Sequence, residues 1–228
     1  MKVSAIILAR GGSKGIPNKN LINICGKPLL TWTIEHCLNA DLVNDIWVSS
    51  DSEEILDLSK RSGANTILRP ANISGDTSTS ESGWIHAVNY IEEKTGKVDC
   101  IIAPQATSPL RTALDINLGI KSFFDGGYDS LFSCSIAEDL FLWEKDKQGD
   151  LFSINYNFKS RQRRQDLSEQ FIENGSFYIF TPETLENFNN RFGNNIGTFI
   201  MESWKMYEID TPNDLRICET LMKEFLLP

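Results

Sequence analysis

The chain has 228 residues, a length that supports one large core or one core with an inserted lobe. Its net charge of −9 and pI near 4.8 exclude the broad cationic footprint that nucleic-acid backbones require, while leaving room for local cations around a nucleotide. No apolar run reaches membrane-spanning length, and five scattered cysteines without zinc-ligand spacing suit reduced thiols, so we expect a cytoplasmic protein with no nucleic-acid or membrane partner.

The first apolar run, Val3 to Ala9, reads as a buried strand and not as a leader. It feeds directly into LARGGSKGIPNKN, residues 8–20. Gly11, Gly12 and Gly15 allow backbone N–H groups to turn toward an anion, so the amides of Gly11, Gly12 and Ser13 are candidates to hold triphosphate oxygens. Arg10 and Lys19 add the charge a leaving pyrophosphate needs; Lys14 is either a further phosphate ligand or a solvated lysine. The spacing fits neither the P-loop nor the dinucleotide fingerprint, because Lys14 precedes Gly15 and Pro17 stiffens the loop before any helix can open.

Helical spacing resumes over 28–40, then a buried strand over 45–50 and a helix over 52–62 that stops at Gly63. Residues 66–68 form a short strand before Arg69-Pro70, 81–95 a helix, and 99–103 a central strand. The loop PQATSPLR, 104–111, lies at that strand's carboxyl end, where sheet enzymes place ligands. Gln105, Thr107 and Ser108 are suited to sugar hydroxyls, and Arg111 either contacts an anion or braces the loop. A helix over 113–124 and a strand over 130–135 complete an alternation that predicts an α/β fold with a doubly wound, mostly parallel, Rossmann-like sheet.

The rhythm breaks over residues 137–170, read as a hairpin or small lobe projecting from a single domain spanning 1–228. Arg161, Arg163 and Arg164 there either form a solvated face, as charge runs usually do, or invite an anionic ligand or an acidic partner surface. Strands are expected over 176–180, 196–201 and 205–209, with a short helix opening at Pro182 and a last helix at Thr211-Pro212. On the last strand Glu208 and Asp210, two apart, would share one face, and would either share one Mg²⁺ or form a solvated polar face with one helix-capping acid, the reading the residues alone favour. His36 and His86 sit on helical patterns and are assigned no catalytic part.

The set LARGGSKGIPNKN (8–20), WVSSD (47–51), RP (69–70), DTSTS (76–80), QATSPLR (105–111), YDSLFS (128–133), RRQD (163–166), ENGSFY (173–178) and IDTP (209–212) resembles the CMP-sialic acid synthetase family, the acylneuraminate cytidylyltransferases. The resemblance implies transfer of CMP from CTP to the anomeric hydroxyl of N-acetylneuraminic acid or another nonulosonic acid, with release of pyrophosphate and dependence on Mg²⁺. It implies that Arg10, Ser13, Lys19 and Asn20 hold the nucleotide, that Arg69 also contacts it, and that Ser80, Gln105 and Tyr178 face the sugar acid. It implies a homodimer in which 137–170 is a dimerisation lobe and Arg163 or Arg164 reaches the neighbour's site. Asp210 would be the metal ligand; Glu208 stands where the family usually has Asp.

Overall fold

The computed structural model describes residues 1–13, 15–138, 140–166 and 168–227, with the side chain of Arg164 excepted. The expectations for Lys14 and for the Arg164 side chain therefore lie outside the described residues.

In chain order the elements are β1 (Val3–Leu8), β2 (Asn23–Ile24), β3 (Lys27–Pro28), α1 (Leu29–Leu38), β4 (Asp45–Ser50), α2 (Glu53–Arg61), β5 (Asn65–Leu68) and α3 (Ser80–Thr95). They continue through β6 (Cys100–Pro104), α4 (Ala113–Asp125), β7 (Ser130–Ile136), β8 (Trp143–Lys145) and β9 (Leu151–Ser153). The chain closes with β10 (Phe171–Phe180), α5 (Pro182–Phe188), β11 (Ile196–Ile200) and α6 (Pro212–Phe225).

Seven strands form the main sheet in the order β11-β7-β10-β6-β1-β4-β5. All neighbours are parallel except β10, which runs antiparallel to both β6 and β7. The central strands β1 and β6 are mostly apolar because both of their faces are buried. On β1, Val3, Ala5 and Ile7 enter one core cluster with α1, α2 and α4, while Ile6 enters the opposite cluster with α3. On β6, Cys100 and Ile102 face the first and Ile101 and Ala103 the second. From β1 the chain winds out through β4 to β5, then returns by α3 to pair β6 against β1's other edge. The order reverses between β1 and β6, and that is where an open α/β sheet leaves a crevice beyond its carboxyl ends.

Helix starts obey local chemistry. The hydroxyls of Ser52, Thr79, Thr112, Thr181 and Thr211 each accept from a first-turn N–H, and Thr112 with Asp115 and Thr211 with Asp214 form full capping boxes. Between Asn23 and Pro28 an unpredicted two-residue hairpin turns on Cys25 and Gly26, both at positive φ (49° and 89°), the geometry that matches strand twist. Residues 143–153 form a separate two-stranded ladder, β8 with β9. Among the described residues no helix is long and apolar enough to cross a membrane.

Two strand expectations need correction. Residues 205–209 are not a strand: Ser203–Met206 is a 3-10 turn, and among the described residues Ile209 has one backbone partner, donating to the Thr107 carbonyl at 2.8 Å. That partner is a loop, so no ladder can propagate. Glu208 and Asp210 are thus placed by loop contacts and not by strand alternation. Conversely, β10 starts at Phe171, five residues before the predicted strand, because its ladder is interrupted by a bulge between Glu173 and Tyr178.

Candidate active site

The bulge of β10 is the joint on which the acidic segment rests. Asn174 is buried, and its Oδ1 accepts from Ser176 N–H at 3.1 Å and lies 2.7 Å from the Ser133 hydroxyl. Ser133 in turn accepts from Phe177 N–H at 2.9 Å, standing in for the lost ladder bond. Gly175 has φ +63°, and a Cβ there would overlap Glu208 Oε1. Glycine is required both by the conformation and by the carboxylate packed against it. The QATS loop is tied to the same joint, with Gln105 N–H donating to Ser176 O at 3.1 Å and the Ser108 hydroxyl donating to Gly175 O at 3.3 Å.

Arg111 resolves its two readings in favour of bracing. It is fully buried, donates to the Ser108 and Gln105 carbonyls at 2.6 and 3.0 Å, and reaches the Thr33 hydroxyl at 3.1 Å. It holds the loop after β6 from beneath.

The glycine loop meets the acidic segment directly. A Cβ on Gly15 would overlap the Asp210 carbonyl oxygen, a backbone atom that cannot yield. Lys19 Nζ donates to Asp210 Oδ1 at 2.7 Å. Glu208 Oε2 accepts from the Thr107 hydroxyl at 3.3 Å. Burial raises the Glu208 carboxyl above its ordinary range, and the neighbouring Asp210 charge adds to the rise; the Thr107 hydrogen bond and Lys19 oppose it. Two carboxylates that repel each other beside an open cavity are a donor set a divalent cation would relieve, and Mg²⁺ accepts one or two carboxylates plus phosphate oxygens.

A cavity of about 350 Å³ opens here, lined among the described residues by Arg10, Ser13, Lys19, Asn20 and Asp210 on one side. Ser80, Trp84, Gln105 and Thr107 line the other. A second cavity of about 350 Å³ adjoins it, lined by Arg69, Asp76 and the loop from Ile73 to Ser80. Leu8, Arg10 and Ser80 belong to both, so Arg10 stands at their junction. Arg10 Nη1 pairs with Asp76 Oδ1 at 2.8 Å, and Asn20 Nδ2 ties down the Arg10 carbonyl at 3.0 Å. Arg69 is almost wholly buried and held by Ser74 Oγ at 3.1 Å; burial lowers its pKa, Arg10 adds to that, and Asp51 counters it.

Other predicted residues fall outside the cavities. Gly11 and Gly12 line neither, and the Gly11 amide is already engaged by Asp51 Oδ1 at 2.9 Å, while Ser13 N–H donates to the Gly11 carbonyl. The glycines thus shape the turn, and within it only Ser13 faces the first cavity among the described residues of 11–13. Tyr178 is buried behind the wall, its hydroxyl donating to the Glu173 carboxylate; burial pushes that hydroxyl's pKa up, and the Glu173 contact adds to it. Arg163 is exposed just before the 3-10 stretch Arg164–Asp166 and lines neither cavity.

Sequence reasoning missed Trp84, Asp76, Glu81 and Arg191. Trp84 comes one helical turn after the cavity residue Ser80, a spacing that carried the signal. Arg191 had none: its partner Glu81 is 110 residues away.

A mostly parallel doubly wound sheet, with Arg10, Lys19 and Asp210 lining a crevice at its switch point, defines an open α/β fold of the Rossmann-like class. More particularly, the chain belongs to the cytidylyltransferase family, whose profile matches residues 4–225. It is 38% identical over 187 residues to N-acylneuraminate cytidylyltransferase A of Danio rerio, an alignment covering 81% of this chain and 42% of that protein, so the chain spans less than half that relative's length. It is 30% identical over 228 residues to the pseudaminic acid cytidylyltransferase of Campylobacter jejuni subsp. jejuni, covering 98% of this chain and 97% of that one. The fold matches a solved CMP:2-keto-3-deoxy-manno-octonic acid synthetase complexed with CTP, with TM-score 0.74, 18% identity, and coverage of 99% of this chain and 100% of that one.

Proposed function

We propose that this protein transfers CMP from CTP to the anomeric hydroxyl of a nonulosonic acid, N-acetylneuraminic acid first, and releases pyrophosphate. The observation that carries the reading is the meeting of Arg10 and Lys19 with Asp210 around one cavity that opens at Arg10 into a second, with Glu208 held against the lining residue Thr107. Two joined cavities suit two substrates. The nucleoside takes the second, beside Arg69, and the sugar acid takes the first, beside Gln105, Thr107 and Trp84. The phosphates then lie over Arg10, at the junction.

Both substrates are anions, so their approach is electrostatically costly. Arg10 and Lys19 offset that cost and stabilise charge passing to the leaving pyrophosphate. Each cation is paired with a carboxylate, Arg10 with Asp76 and Lys19 with Asp210, and a triphosphate would compete with those partners. Asp210, with Glu208 beside it, would hold Mg²⁺, which when bound supplies further charge to the phosphoryl oxygens. Gln105 and Thr107 orient the sugar acid by hydrogen bonds. A homodimer in the cytoplasm completes the reading, with the lobe's exposed Leu142, Leu151, Phe152 and Ile154 as its support and Arg163 or Arg164 supplied by the partner.

A panel of N-acetylneuraminic, legionaminic, pseudaminic and octulosonic acids with CTP and Mg²⁺, scored by pyrophosphate release, tests this. N-acetylneuraminic acid is expected to be fastest. Pseudaminic acid is the second reading, favoured by the full-length match to the Campylobacter protein, and its faster turnover would replace the first. No release from any acid would reduce the chain to a non-catalytic nucleotide-binding module.

A further inference from the structure

We propose that Arg191, which lines neither cavity, is a positioning residue that sets the wall against which the sugar acid is held. The inference rests on the cytidylyl transfer proposed above. Arg191 lies in the loop after α5, outside regular structure. Its Nε and Nη2 both reach Glu81 Oε1 at 3.0 Å, and both side chains are largely shielded, at 19% and 14% exposure. Its guanidinium carbon sits 4.7 Å from the Trp84 ring centre and 4.5 Å from that of Tyr178. The cation is thus clamped between two aromatic rings while a carboxylate holds it. A guanidinium over an indole or phenol face is attracted by the ring's negative quadrupole, more strongly when water is kept away.

The two rings differ in what they touch. Tyr178 is internal, its hydroxyl engaged by Glu173 and its ring edge-on to Phe192 at 6.0 Å. Trp84 lines the first cavity and packs edge-on against Phe180 at 5.2 Å. Its indole N–H is buried without a hydrogen-bond partner among the described residues, so no polar contact orients the ring. Packing against Phe180 and the charge of Arg191 do so instead. Glu81 is the next residue after Ser80, which lines both cavities, so the same ion pair also anchors the first turn of α3.

The loop that carries Arg191 is itself fixed. Asp129 Oδ2 accepts from the N–H groups of Asn194 and Asn195 at 2.8 and 3.0 Å, and Ser130 Oγ accepts from Gly193 N–H at 3.1 Å. Arg191 therefore transmits the position of the β7 end to one wall of the first cavity. The second cavity shares Ser80 but not Trp84. Loss of Arg191 should loosen the sugar-acid wall and leave the nucleoside side nearly unchanged.

The test is steady-state kinetics of Arg191→Ala, Arg191→Lys and Glu81→Gln, with thermal melts on each, using whichever acid of the panel the wild type turns over fastest. KM for the sugar acid should rise about tenfold in Arg191→Ala, the scale of one shielded cation–ring contact. KM for CTP and kcat should stay within about twofold, the pattern of lost ground-state binding. Arg191→Lys keeps the charge and loses the flat fork, so it should fall between. If Arg191→Ala does not fold, Arg191→Lys and Glu81→Gln carry the same split in smaller degree. An unchanged sugar-acid KM in the folded variants, or a KM for CTP that climbs in step, overturns the role. A wild type inactive on every acid removes the proposed activity and this role with it, and is told apart from the other failures by the wild-type rate alone.

Discussion

Arg10 is a residue whose surroundings give its charge little weight in folding, so the role proposed for it in chemistry can be tested by itself. Its side chain is 37% exposed, it pairs with Asp76 in a surface loop, and its backbone is pinned independently by Asn20. An exposed pair of that kind contributes little to stability. Arg10→Ala should leave the melting temperature nearly unchanged. It should lower turnover by about two orders of magnitude, or about 2.7 kcal/mol of barrier. Pyrophosphate release beside a melt checks both halves; full turnover in a folded variant removes Arg10 from catalysis. Asp210 is a companion case. It meets the Thr211–Asp214 capping box through its backbone N–H, which donates to Asp214 Oδ2 at 3.2 Å and is kept on substitution, so Asp210→Asn spares the start of α6. It also loses charge beside Lys19 and Glu208. The Mg²⁺ dependence of activity should move to higher concentration by about tenfold or more. An unchanged titration midpoint would assign the metal elsewhere.

Among the elements, α1 carries a pH dependence. His36 is on its last turn with Nδ1 buried and unpartnered among the described residues. Burial pushes its pKa down to about 3 from 6.5, and the positive charges of Arg111 and Lys27 add to the fall. The folded state binds this proton more weakly than the unfolded chain does. The stabilising contribution is therefore complete above about pH 6.5 and is lost as pH falls toward 3. Each unit within that window costs at most about 1.4 kcal/mol from this group. Urea midpoints of wild type and His36→Gln at pH 7 and pH 5 check it. The wild type should lose about 1–2 kcal/mol more than the variant between the two conditions; parallel losses would show that His36 does not titrate on unfolding. Elements also differ in how far the chain alone reveals them. Strands β1, β4 and β6 were legible because burial on both faces writes apolar residues onto successive positions, as over 5–8, 46–48 and 100–103, and α2, α4 and α6 because their caps are local. The segment 205–209 was misread because its apolar alternation is satisfied by loop partners, Thr107 above all. The start of β10 was hidden because Asn174 and Gly175 read as a turn, although they bulge within one strand.

At the scale of the whole molecule, the same distinction between local and distant contacts decides what a single chain can show. Lys19 with Asp210, and Arg191 with Glu81, are separated by 191 and 110 residues, so only the fold joins them. The lobe raises the question once more, now between chains. Leu151 and Ile154 on the lobe are 60% and 55% exposed, and Leu142 and Phe152 lie close by in sequence and are also exposed. Burying such side chains is worth about 1.5–3 kcal/mol each, and a two-fold interface counts each one twice. The double change Leu151→Ser and Ile154→Ser should therefore shift the mass by light scattering from twice 25.7 kDa to 25.7 kDa. The seven-stranded sheet should be unaffected, since β8 and β9 pair only with each other. If the partner's Arg163 or Arg164 completes the site, two inactive variants should rescue one another. Mixing Arg10→Ala with a chain carrying Arg163→Ala and Arg164→Ala builds heterodimers with one intact site and one doubly damaged site. Random exchange between equal amounts then restores about a quarter of wild-type sites. Recovery near that level assigns the arginines to the neighbouring protomer. No recovery, with exchange verified by mass, confines every catalytic group to one chain, and the lobe would then hold the subunits together without entering the chemistry.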